Sequence, residues 1–374
     1  MMNKPLIRVL IVDDSVIFRN FLRGCLSNIS NVEVVGAARD GVDALEKIKA
    51  LRPDVVTLDM EMPRMNGMEV LAKLENRDNK FEIIVVTGSN SNDTERTLKA
   101  LEAGAFDFVM KPTSSDKDPK VTLIKVLTEK IALAHRKLKG AARAARTPQR
   151  APTRIEAQRQ KIAQAKAGNS GGAIVKRPRT LKGRPDIVAI GSSTGGPKAL
   201  HALFSELSAN IPVPLVLTQH MPKLFLVSLA KRIDDVSSLA CVVAGDGMEL
   251  KPGVIHVAPG ERHMEIVRSG GKLVVALTNG PKVHHCKPSV DPMFFSLAKL
   301  APAVKVLSVV LTGMGADGAA GSLEIGNKGG HVIVQDEKSS VVWGMPGATA
   351  KMGAAHEILP LNLIDEAIMR FFVK

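Results

Sequence analysis

The feature that most constrains the fold of this chain is a repeated alternation of short β-branched runs with amphipathic helical segments. The alternation fills residues 6–135, stops, and resumes at residue 186. Short apolar strands that alternate with helices are typical of parallel sheets, because a crossover helix must return the chain to the same edge of the sheet. The sequence therefore predicts two α/β domains in one chain of 374 residues.

The first block predicts five βα units, and hence a parallel sheet that is covered by helices on both faces. Its predicted strands are residues 7–12, 32–38, 55–59, 82–87 and 106–109, and its predicted helices include 16–26, 42–51, 94–103 and 121–138. The second block predicts a larger, mostly parallel, doubly wound α/β domain with an antiparallel hairpin extension. Its predicted strands are 186–190, 215–218, 239–243, 254–258, 263–267, 273–277, 304–311 and 331–335, and its predicted helices include 197–208, 292–300 and 316–327.

The stretch between the two blocks carries the basic character of the chain. Residues 136–185 hold 15 Lys and Arg and one acidic residue, so the other regions together are neutral although the chain has a net charge of +14. Such a polar segment cannot bury enough apolar surface to fold alone. We expect a first domain at residues 1–139, a flexible linker at 140–184 with a transient helix at 154–167, and a second domain at 185–374. The linker lacks interleaved aromatic residues, so nucleic-acid binding is not expected.

Several classes of protein are excluded by simpler features. No apolar run approaches the roughly 18 residues of a membrane span, so membrane insertion is not expected. The N-terminus passes from an apolar strand directly into two acidic residues, which is unlike a signal peptide. Cys25, Cys241 and Cys286 are few and widely spaced, so neither disulfides nor a cysteine metal site are expected. These features favour a cytoplasmic protein.

Acidic side chains follow the first and third predicted strands. Asp13 and Asp14 come directly after the first strand, and Asp59 ends the third. Because the carboxyl ends of parallel strands meet at one edge, the three carboxylates should converge, and they would need a hard cation such as Mg²⁺. Thr87 and Lys111 add a hydroxyl and an ammonium after the fourth and fifth strands. The set indicates the handling of a phosphoryl group, although Asp13 or Asp14 alone could be a helix N-cap.

A second constellation begins at the first strand of the second domain. The run Gly191-Ser192-Ser193-Thr194-Gly195 fits the G-x-S-x-G pattern, which exposes a serine hydroxyl on a strand-to-helix turn. Ser193 is the candidate nucleophile and Ser192 its rival. His220 is the candidate base and Asp317 the candidate orienting acid, each just past the carboxyl end of a strand. Two alternatives remain open: the glycine-rich turn could bind a phosphate, and Asp317 could be only a helix N-cap.

The first domain resembles the receiver domain of bacterial response regulators over about residues 6–135. The motifs that carry the resemblance are Asp13-Asp14, Asp59-Met-Glu-Met-Pro-Arg-Met-Asn-Gly67, Thr87-Gly and Lys111-Pro. The resemblance implies a flavodoxin-like fold in which Asp59 accepts a phosphoryl group. The residues that it implies as holders of Mg²⁺ are Asp13, Asp14, Asp59 and the backbone of Glu61. The residues that it implies as ligands of the phosphoryl oxygens are Thr87 and Lys111. Phe108 falls at the switch position, with core packing as the alternative.

The second domain resembles the catalytic domain of the chemotaxis protein-glutamate methylesterases over roughly residues 185–374. The motifs include Ala-Ile-Gly-Ser-Ser-Thr-Gly-Gly-Pro, Thr-Gln-His220-Met-Pro, Pro288-Ser-Val-Asp-Pro-Met-Phe, Leu-Thr-Gly-Met314-Gly-Ala-Asp317-Gly and Val-Val-Trp343-Gly-Met-Pro-Gly. The resemblance implies Ser193 as nucleophile, His220 as general base and Asp317 as its orienter. It also implies an oxyanion hole formed by the backbone N–H groups of Thr194 and Met314.

The same resemblance implies a substrate, partners and a mode of control. The substrate would be glutamate γ-methyl esters on the cytoplasmic helices of chemoreceptors, with deamidation of receptor glutamines as a second activity. A chemotaxis histidine kinase would supply the phosphoryl group, and the catalytic domain would need no cofactor. One departure is the run His284-His285-Cys286-Lys287, where the family commonly has Arg before the proline.

Two other functions compete with this hypothesis. A signalling module could use the receiver and the basic linker to recruit a partner, with a second domain that only binds. A hydrolase of the same kind could also serve a pathway other than chemotaxis. The presence of Ser193, His220 and Asp317 favours an enzyme over the binding module.

Overall fold

The structure is a computed structural model that describes residues 6–74, 80–113, 118–146, 177–178, 181 and 183–373. The helix predicted at 154–167 and most of the predicted linker lie outside the described residues. Within the described part of the chain, no helix has the length and apolar character needed to cross a membrane.

The first domain contains a five-stranded parallel sheet with helices on both faces. Its strands are β1 (Ile7–Val12), β2 (Val32–Ala38), β3 (Val55–Asp59), β4 (Glu82–Thr87) and β5 (Asp107–Met110). Its helices are α1 (Val16–Leu26), α2 (Gly41–Leu51), α3 (Gly67–Lys73), α4 (Ser91–Glu102) and α5 (Pro119–Arg146). The strand order β2-β1-β3-β4-β5 is the flavodoxin-like order. The predicted fold of this domain is therefore confirmed, and α5 continues past residue 139, where we placed the domain boundary.

The second domain is built on a seven-stranded sheet and a separate two-stranded sheet. Its strands are β6 (Ile187–Ser192), β7 (Leu215–Gln219), β8 (Ala240–Val243), β9 (Val254–Val257), β10 (His263–Ser269), β11 (Lys272–Thr278), β12 (Val306–Val310), β13 (His331–Gln335) and β14 (Glu357–Leu359). Its helices are α6 (Gly196–Glu206), α7 (Lys223–Val236), α8 (Val290–Leu300), α9 (Ala319–Asn327), α10 (Met345–Lys351) and α11 (Ile364–Met369), with a 3₁₀ turn at Leu361–Leu363.

The order in the large sheet is β14-β13-β12-β6-β7-β9-β8, and each neighbouring pair is parallel. The hairpin β10–β11 is antiparallel. This confirms the predicted mostly parallel domain with its hairpin extension. The central strands β6, β7 and β12 are buried along their whole length, as expected for parallel strands covered on both faces. Their carboxyl ends meet at one edge of the sheet.

The two domains pack against each other along that edge. Helix α4 of the first domain contacts α6 and α7 of the second. Glu102 at the end of α4 forms an ion pair with Arg232 of α7, with Arg232 Nε 2.9 Å from Glu102 Oε1. The ring of Phe108 in β5 stacks on the ring of Phe225 in α7, with 4.5 Å between the ring centroids. The first domain therefore covers the edge of the second sheet where Ser193 was predicted to lie.

Candidate active site

The turn after β6 determines where Ser193 lies. Strand β6 ends at Ser192, and Gly195 adopts a left-handed conformation with φ of 78° before α6 begins. The left-handed region costs glycine little, because glycine has no Cβ. A hydrogen bond from the Ser193 N–H to the Thr312 carbonyl (3.0 Å) and one from the Gly196 N–H to the Ser193 carbonyl (2.7 Å) fix the turn. Ser193 is thereby held between the end of a strand and the N-terminus of a helix.

The structure distinguishes the two candidate serines. Ser192 is fully buried, and its hydroxyl is hydrogen-bonded to Oε1 of Gln219 at 2.6 Å. Ser193 is about 9% exposed and lines the cavity that also contains His220. Among the described residues, no hydrogen bond involves the Ser193 hydroxyl. Catalytic hydrogen bonds are often long in unliganded enzymes and tighten only when substrate binds. The geometry thus favours Ser193 over Ser192 as the reactive hydroxyl.

His220 and Asp317 lie in direct contact. His220 follows β7, and its Nε2 is 2.6 Å from Oδ2 of Asp317. Asp317 is fully buried and accepts hydrogen bonds from the Ser289 hydroxyl (2.7 Å) and the Val290 N–H (2.7 Å). The Asp291 N–H (2.9 Å) also donates to it. Asp317 therefore caps the N-terminus of α8, whereas the alternative weighed from the sequence was a cap on the helix that follows it.

The environment of this pair sets its protonation. Burial alone would raise the pKa of Asp317, but the hydrogen bonds from His220, Ser289 and Val290 lower it to about 2. Burial alone would lower the pKa of His220, but the contacts with Asp317 and with the Cys286 thiol raise it to about 9. His220 is therefore stabilised as imidazolium in this arrangement, with Asp317 as its counter-ion.

Two backbone N–H groups are available beside Ser193. In the part of the chain that the structure describes, neither the Thr194 N–H nor the Met314 N–H donates a hydrogen bond. The Thr312 hydroxyl holds this region by donating to the Thr194 carbonyl at 2.9 Å. Unpaired backbone N–H groups can stabilise negative charge that develops on a carbonyl oxygen. Thr194 and Met314 therefore remain the two predicted donors of an oxyanion hole.

A cavity of about 390 Å³ lies between the two domains and contains these groups. The second domain contributes Ser193, Thr194 and His220 to its walls, and the first contributes Asp107 and Phe108. The Thr194 hydroxyl donates a hydrogen bond to Oδ2 of Asp107 at 2.9 Å. The residue next to the candidate nucleophile is therefore bonded directly to the first domain.

The predicted acidic site lies at the edge of the first sheet. Carboxylate oxygens of Asp13, Asp14 and Asp59 all lie within 4.8 Å of one another. Asp13 and Asp59 are buried and Asp14 is exposed. Lys111 brings its Nζ to 2.6 Å from Asp59 Oδ2 and 2.8 Å from Asp13 Oδ2. Oxygen ligands at this spacing fit a hard divalent cation.

The raised pKa of Asp59 indicates that its charged form would be favoured by a bound cation. Burial raises the pKa of Asp59 to about 7, and the neighbouring carboxylate of Asp13 adds to the rise, against the lowering effect of Lys111. A divalent cation between the carboxylates would favour their charged forms. The residues present therefore fit Mg²⁺. Glu61 places its backbone N–H 3.3 Å from Asp59 Oδ1, so its peptide lies at the same site.

Thr87 and Phe108, the two other residues predicted for this site, do not contact the acidic cluster in the same way as Lys111. The hydroxyl of Thr87 is hydrogen-bonded to the hydroxyl of Thr97 in α4 at 2.8 Å. Phe108 is half-buried and packs on Phe225 of the other domain, as described above. The structure thus brings Asp13, Asp14, Asp59 and Lys111 together, while Thr87 and Phe108 face α4 and α7.

Three residues in these sites were not singled out from the sequence. Asp107 and Phe225 act across the domain interface, which no local pattern reveals. The Cys286 thiol contributes to the raised pKa of His220, although the cysteine spacing indicated no site. The run that contains Cys286 was noted only because it departs from the family pattern.

The fold and the two sites define the class of the protein. A receiver-type domain with a buried acidic pocket is joined to an α/β domain that carries a serine, a histidine and an aspartate at one sheet edge. Residues 9–120 match the family described as response regulator receiver domain, and residues 188–368 match the family described as CheB methylesterase.

Curated relatives match nearly the whole chain. A protein-glutamate methylesterase/protein-glutamine glutaminase of Rhodopseudomonas palustris (strain BisB5) is 40% identical over 368 residues, 98% of this chain and 94% of the relative. One of Pyrococcus abyssi (strain GE5 / Orsay) is 38% identical, over 97% of this chain and 93% of the relative. The crystal structure of the Thermotoga maritima CheB methylesterase catalytic domain is 38% identical, with a TM-score of 0.48, over 51% of this chain and 99% of that chain. This chain belongs to the protein-glutamate methylesterase/protein-glutamine glutaminase family, which carries a receiver domain.

Proposed function

We propose that the chain is a phosphorylation-activated serine hydrolase that removes methyl groups from glutamate γ-methyl esters of chemoreceptors. The observation that carries the proposal is the group of Ser193, His220 and Asp317 at one sheet edge, beneath a receiver domain that bonds to Thr194. The receiver would occupy residues 1–139, the linker 140–184 and the catalytic domain 185–374. The chain would also deamidate receptor glutamines, because only the leaving group changes.

In the first step, the Ser193 hydroxyl attacks the ester carbonyl. Asp317 occupies Nε2 of His220, so Nδ1 is the nitrogen left to take the serine proton. Asp317 holds the imidazole in one orientation and stabilises the imidazolium that forms. The carbonyl oxygen gains negative charge and would be held by the N–H groups of Thr194 and Met314.

In the second step, the tetrahedral intermediate collapses. Imidazolium returns its proton to the leaving oxygen, methanol departs, and the glutamyl group stays on Ser193 as an ester. Water, activated by His220, then attacks this acyl-enzyme and releases glutamate. A glutamine substrate would lose ammonia in place of methanol. No cofactor takes part in either step.

The acidic pocket would control the hydrolase. Asp59 would accept a phosphoryl group from a chemotaxis histidine kinase, and Asp13, Asp14, Asp59 and the backbone of Glu61 would hold Mg²⁺. The cation, when bound, would neutralise charge on the transferring phosphoryl oxygens. Lys111 already contacts Asp59 and would bind a phosphoryl oxygen. Thr87 would have to leave Thr97 to reach the same group.

The domain interface links this pocket to the hydrolase. In the unphosphorylated arrangement, Asp107 and Phe108 of β5 contact Thr194 and Phe225. The first domain lines this cavity of about 390 Å³ beside Ser193, and in our proposal it keeps a receptor helix away from Ser193 while these contacts hold. We infer that phosphorylation rearranges the β5 and α4 surface, loosens these contacts and opens the site. Kinase and receptor helices would both be met in the cytoplasm.

Methanol release from methylated receptor fragments tests the proposal. We expect slow release by the wild-type chain, faster release after addition of a small-molecule phosphodonor and Mg²⁺, and no stimulation in Asp59→Asn. A chain that binds receptor fragments but releases neither methanol nor ammonia would be a binding module and would refute the enzyme. Release from methylated proteins other than chemoreceptors, with receptors untouched, would place the hydrolase in another pathway.

A further inference from the structure

The hydroxyl of Ser289 is used in an unusual way at the start of helix α8. Ser289 is the N-cap residue of this helix and is fully buried. An N-cap serine normally accepts a hydrogen bond from an N–H of the first helical turn, because these N–H groups have no partner within the helix. The Ser289 side chain makes no such bond. Its hydroxyl donates instead to Oδ2 of Asp317 at 2.7 Å.

Asp317 provides the cap that Ser289 does not provide. Its Oδ2 accepts a hydrogen bond from the Val290 N–H at 2.7 Å, and its Oδ1 accepts one from the Asp291 N–H at 2.9 Å. These are the N–H groups that begin α8. The helix is therefore capped by a carboxylate from a distant part of the chain, and the serine hydroxyl is left to act on that carboxylate.

The Ser289 hydroxyl and the imidazole of the candidate base share one oxygen. His220 Nε2 is 2.6 Å from Oδ2 of Asp317, the same atom to which Ser289 donates. The remaining bonds to this carboxylate come from backbone N–H groups, including that of Gly318, which donates to Oδ1 at 2.9 Å. No side-chain substitution removes those backbone donors. Ser289 is therefore the donor that can be removed without changing His220 itself.

We propose that Ser289 is a positioning residue of the hydrolase, which acts through Asp317 to orient the His220 imidazole and to limit its basicity. The hydroxyl fixes the rotation of the carboxylate, so that Oδ2 faces Nε2 and Nδ1 is left for the Ser193 proton. It also shares the negative charge of Oδ2, so less of that charge stabilises the imidazolium. More of the imidazole is then in the neutral form that acts as a base. This role rests on the proposed function.

Other titratable side chains face the same histidine–aspartate pair. Asp291 is buried, and burial raises the pKa of its carboxyl, with the charge of Asp317 adding to the rise. His284 Nε2 is 2.9 Å from Oδ2 of Asp291, and a ring nitrogen of His284 lies within 4.8 Å of an oxygen of Asp317. The Cys286 thiol contributes to the raised pKa of the candidate base. Within the described ranges, the Ser289 hydroxyl bonds to Asp317 alone, so its removal leaves these other groups in place.

Ser289→Ala and Ser296→Ala form a matched pair of variants. Ser296 is buried in the same helix, and its hydroxyl donates to the Met293 carbonyl at 2.7 Å and accepts from the Ile266 N–H at 2.8 Å. Each variant loses one buried hydroxyl, and Ser289→Ala keeps the backbone bonds that hold Asp317. We expect both variants to fold, and thermal unfolding of the full-length chain checks this.

The pKa of His220 can be measured without hydrolysis. The Cε1 signal of isotope-labelled histidine is followed by NMR as a function of pH in the full-length chain, and the signal of His220 is assigned by its loss in His220→Ala. We expect this titration to move to higher pH in Ser289→Ala, because Oδ2 keeps more of its charge for the imidazolium. In Ser296→Ala it should coincide with the wild type. An unmoved or lower pKa in Ser289→Ala, or an equal shift in Ser296→Ala, would overturn the proposal.

A second arm measures phosphodonor-stimulated methanol release from methylated receptor fragments across pH. Ser289→Ala should lower kcat about tenfold, the usual effect of one hydrogen bond to a charged group, and change KM less than about twofold. The acid limb of kcat/KM should move to higher pH, whereas Asp317→Asn should move it to lower pH. A fall in kcat with an unmoved acid limb would show a merely structural role and overturn the proposal. If the wild type releases no methanol while the NMR titration shifts as expected, the proposed function fails and the effect of Ser289 on His220 stands.

Discussion

The two sites occupy equivalent places on two parallel sheets, but they differ in charge and in access. In the receiver, three carboxylates and one ammonium meet at the sheet edge, and Asp14 is exposed to solvent. In the second domain, a neutral hydroxyl and one histidine–aspartate pair meet, and the receiver lies over them. Asp14 is exposed at the charged site, whereas Ser193 of the second site lies in a cavity lined by both domains.

Strand β5 gives a physical connection through which the acidic site could influence the hydrolase site. Strand β5 belongs to both: Lys111 directly follows it and contacts Asp59, whereas Asp107 and Phe108 within it contact the second domain. In the proposed mechanism, a change of charge at Asp59 acts through this strand on the contacts beside Ser193. The chemistry of the second site and its coverage by the receiver can therefore be tested separately.

The largest expected effect on ester hydrolysis comes from substitution of the candidate nucleophile, Ser193. Ser193→Ala should lower ester hydrolysis about 10⁶-fold, because triad members act as a unit. Ser192→Ala is the matched control: it removes a buried hydroxyl one residue away and should cost about 1–3 kcal/mol of stability, because Oε1 of Gln219 loses its donor. Methanol release and thermal unfolding measure the two effects. Near-normal turnover in Ser193→Ala would assign the chemistry to Ser192.

Substitution of the orienting acid, Asp317, should change both the rate of ester hydrolysis and its pH dependence. His220 acts as a base in its neutral form, so activity should fall as pH falls through its pKa, which is raised to about 9. Asp317→Asn removes the hydrogen-bonded carboxylate, so this pKa should drop and the acid limb of kcat/KM should move to lower pH. The rate at the optimum should fall about 10⁴-fold. If the acid limb of kcat/KM in Asp317→Asn coincided with that of the wild type, a group other than His220 would control it.

The sequence predicts elements well where a buried strand ends in a functional residue. Strands β1 to β4 are found at the predicted residues, because continuous β-branched runs bounded by polar residues leave little freedom. Strand β5 was predicted at 106–109 and is observed at Asp107–Met110. Helices α3, α10 and α11 and strand β14 were not predicted; they are three to seven residues long. Short elements gain their stability from tertiary packing that a local pattern does not contain. Helix α7 has 14 residues and was missed although its buried residues recur at helical spacing.

The site residues could likewise be predicted only where a local pattern indicates them. Residues that follow strands, such as Asp59, His220 and Asp317, could be placed because all strand ends share one edge. The bond between Thr194 and Asp107 joins residues 87 positions apart in different domains, and nothing near either residue indicates it. The position of Cys286 depends on a loop closed by the backbone bridge between Val283 and Cys286, whose course the sequence does not determine.

A smaller effect is expected from loss of the hydrogen bond between Thr194 and Asp107, which joins the receiver to the second domain. Asp107→Ala removes the acceptor for Thr194 and should raise basal hydrolysis about tenfold, the equivalent of a charged hydrogen bond of about 1.5 kcal/mol. Glu82→Ala is the control, since Glu82 is also a buried carboxylate paired with a lysine of α5, but it lies away from the interface. Lys130 pairs with Asp107 at 2.5 Å and Lys137 with Glu82 at 2.9 Å. Equal basal rates for the two variants would remove Asp107 from the mechanism.

The smallest expected effect concerns Thr87. Thr97→Val removes the hydroxyl that holds Thr87, so the phosphodonor concentration for half-maximal stimulation should fall a few fold. Thr94→Val is the control, because Thr94 is buried in the same helix and its hydroxyl donates to the Asn90 carbonyl at 2.8 Å rather than to Thr87. A titration of methanol release with phosphodonor compares them. If both variants respond like wild type, the Thr87–Thr97 bond has no role in activation.

The most direct test of closure is the rate at which Ser193 reacts with a bulky biotinylated fluorophosphonate, which modifies the activated serine and releases fluoride. The full-length chain is labelled with Mg²⁺ alone and with Mg²⁺ plus phosphodonor, beside Asp59→Asn as the control. We expect labelling at least tenfold faster with phosphodonor in the wild type, and no acceleration in Asp59→Asn. Equal, fast labelling of the wild type in both conditions would contradict a receiver that closes the site.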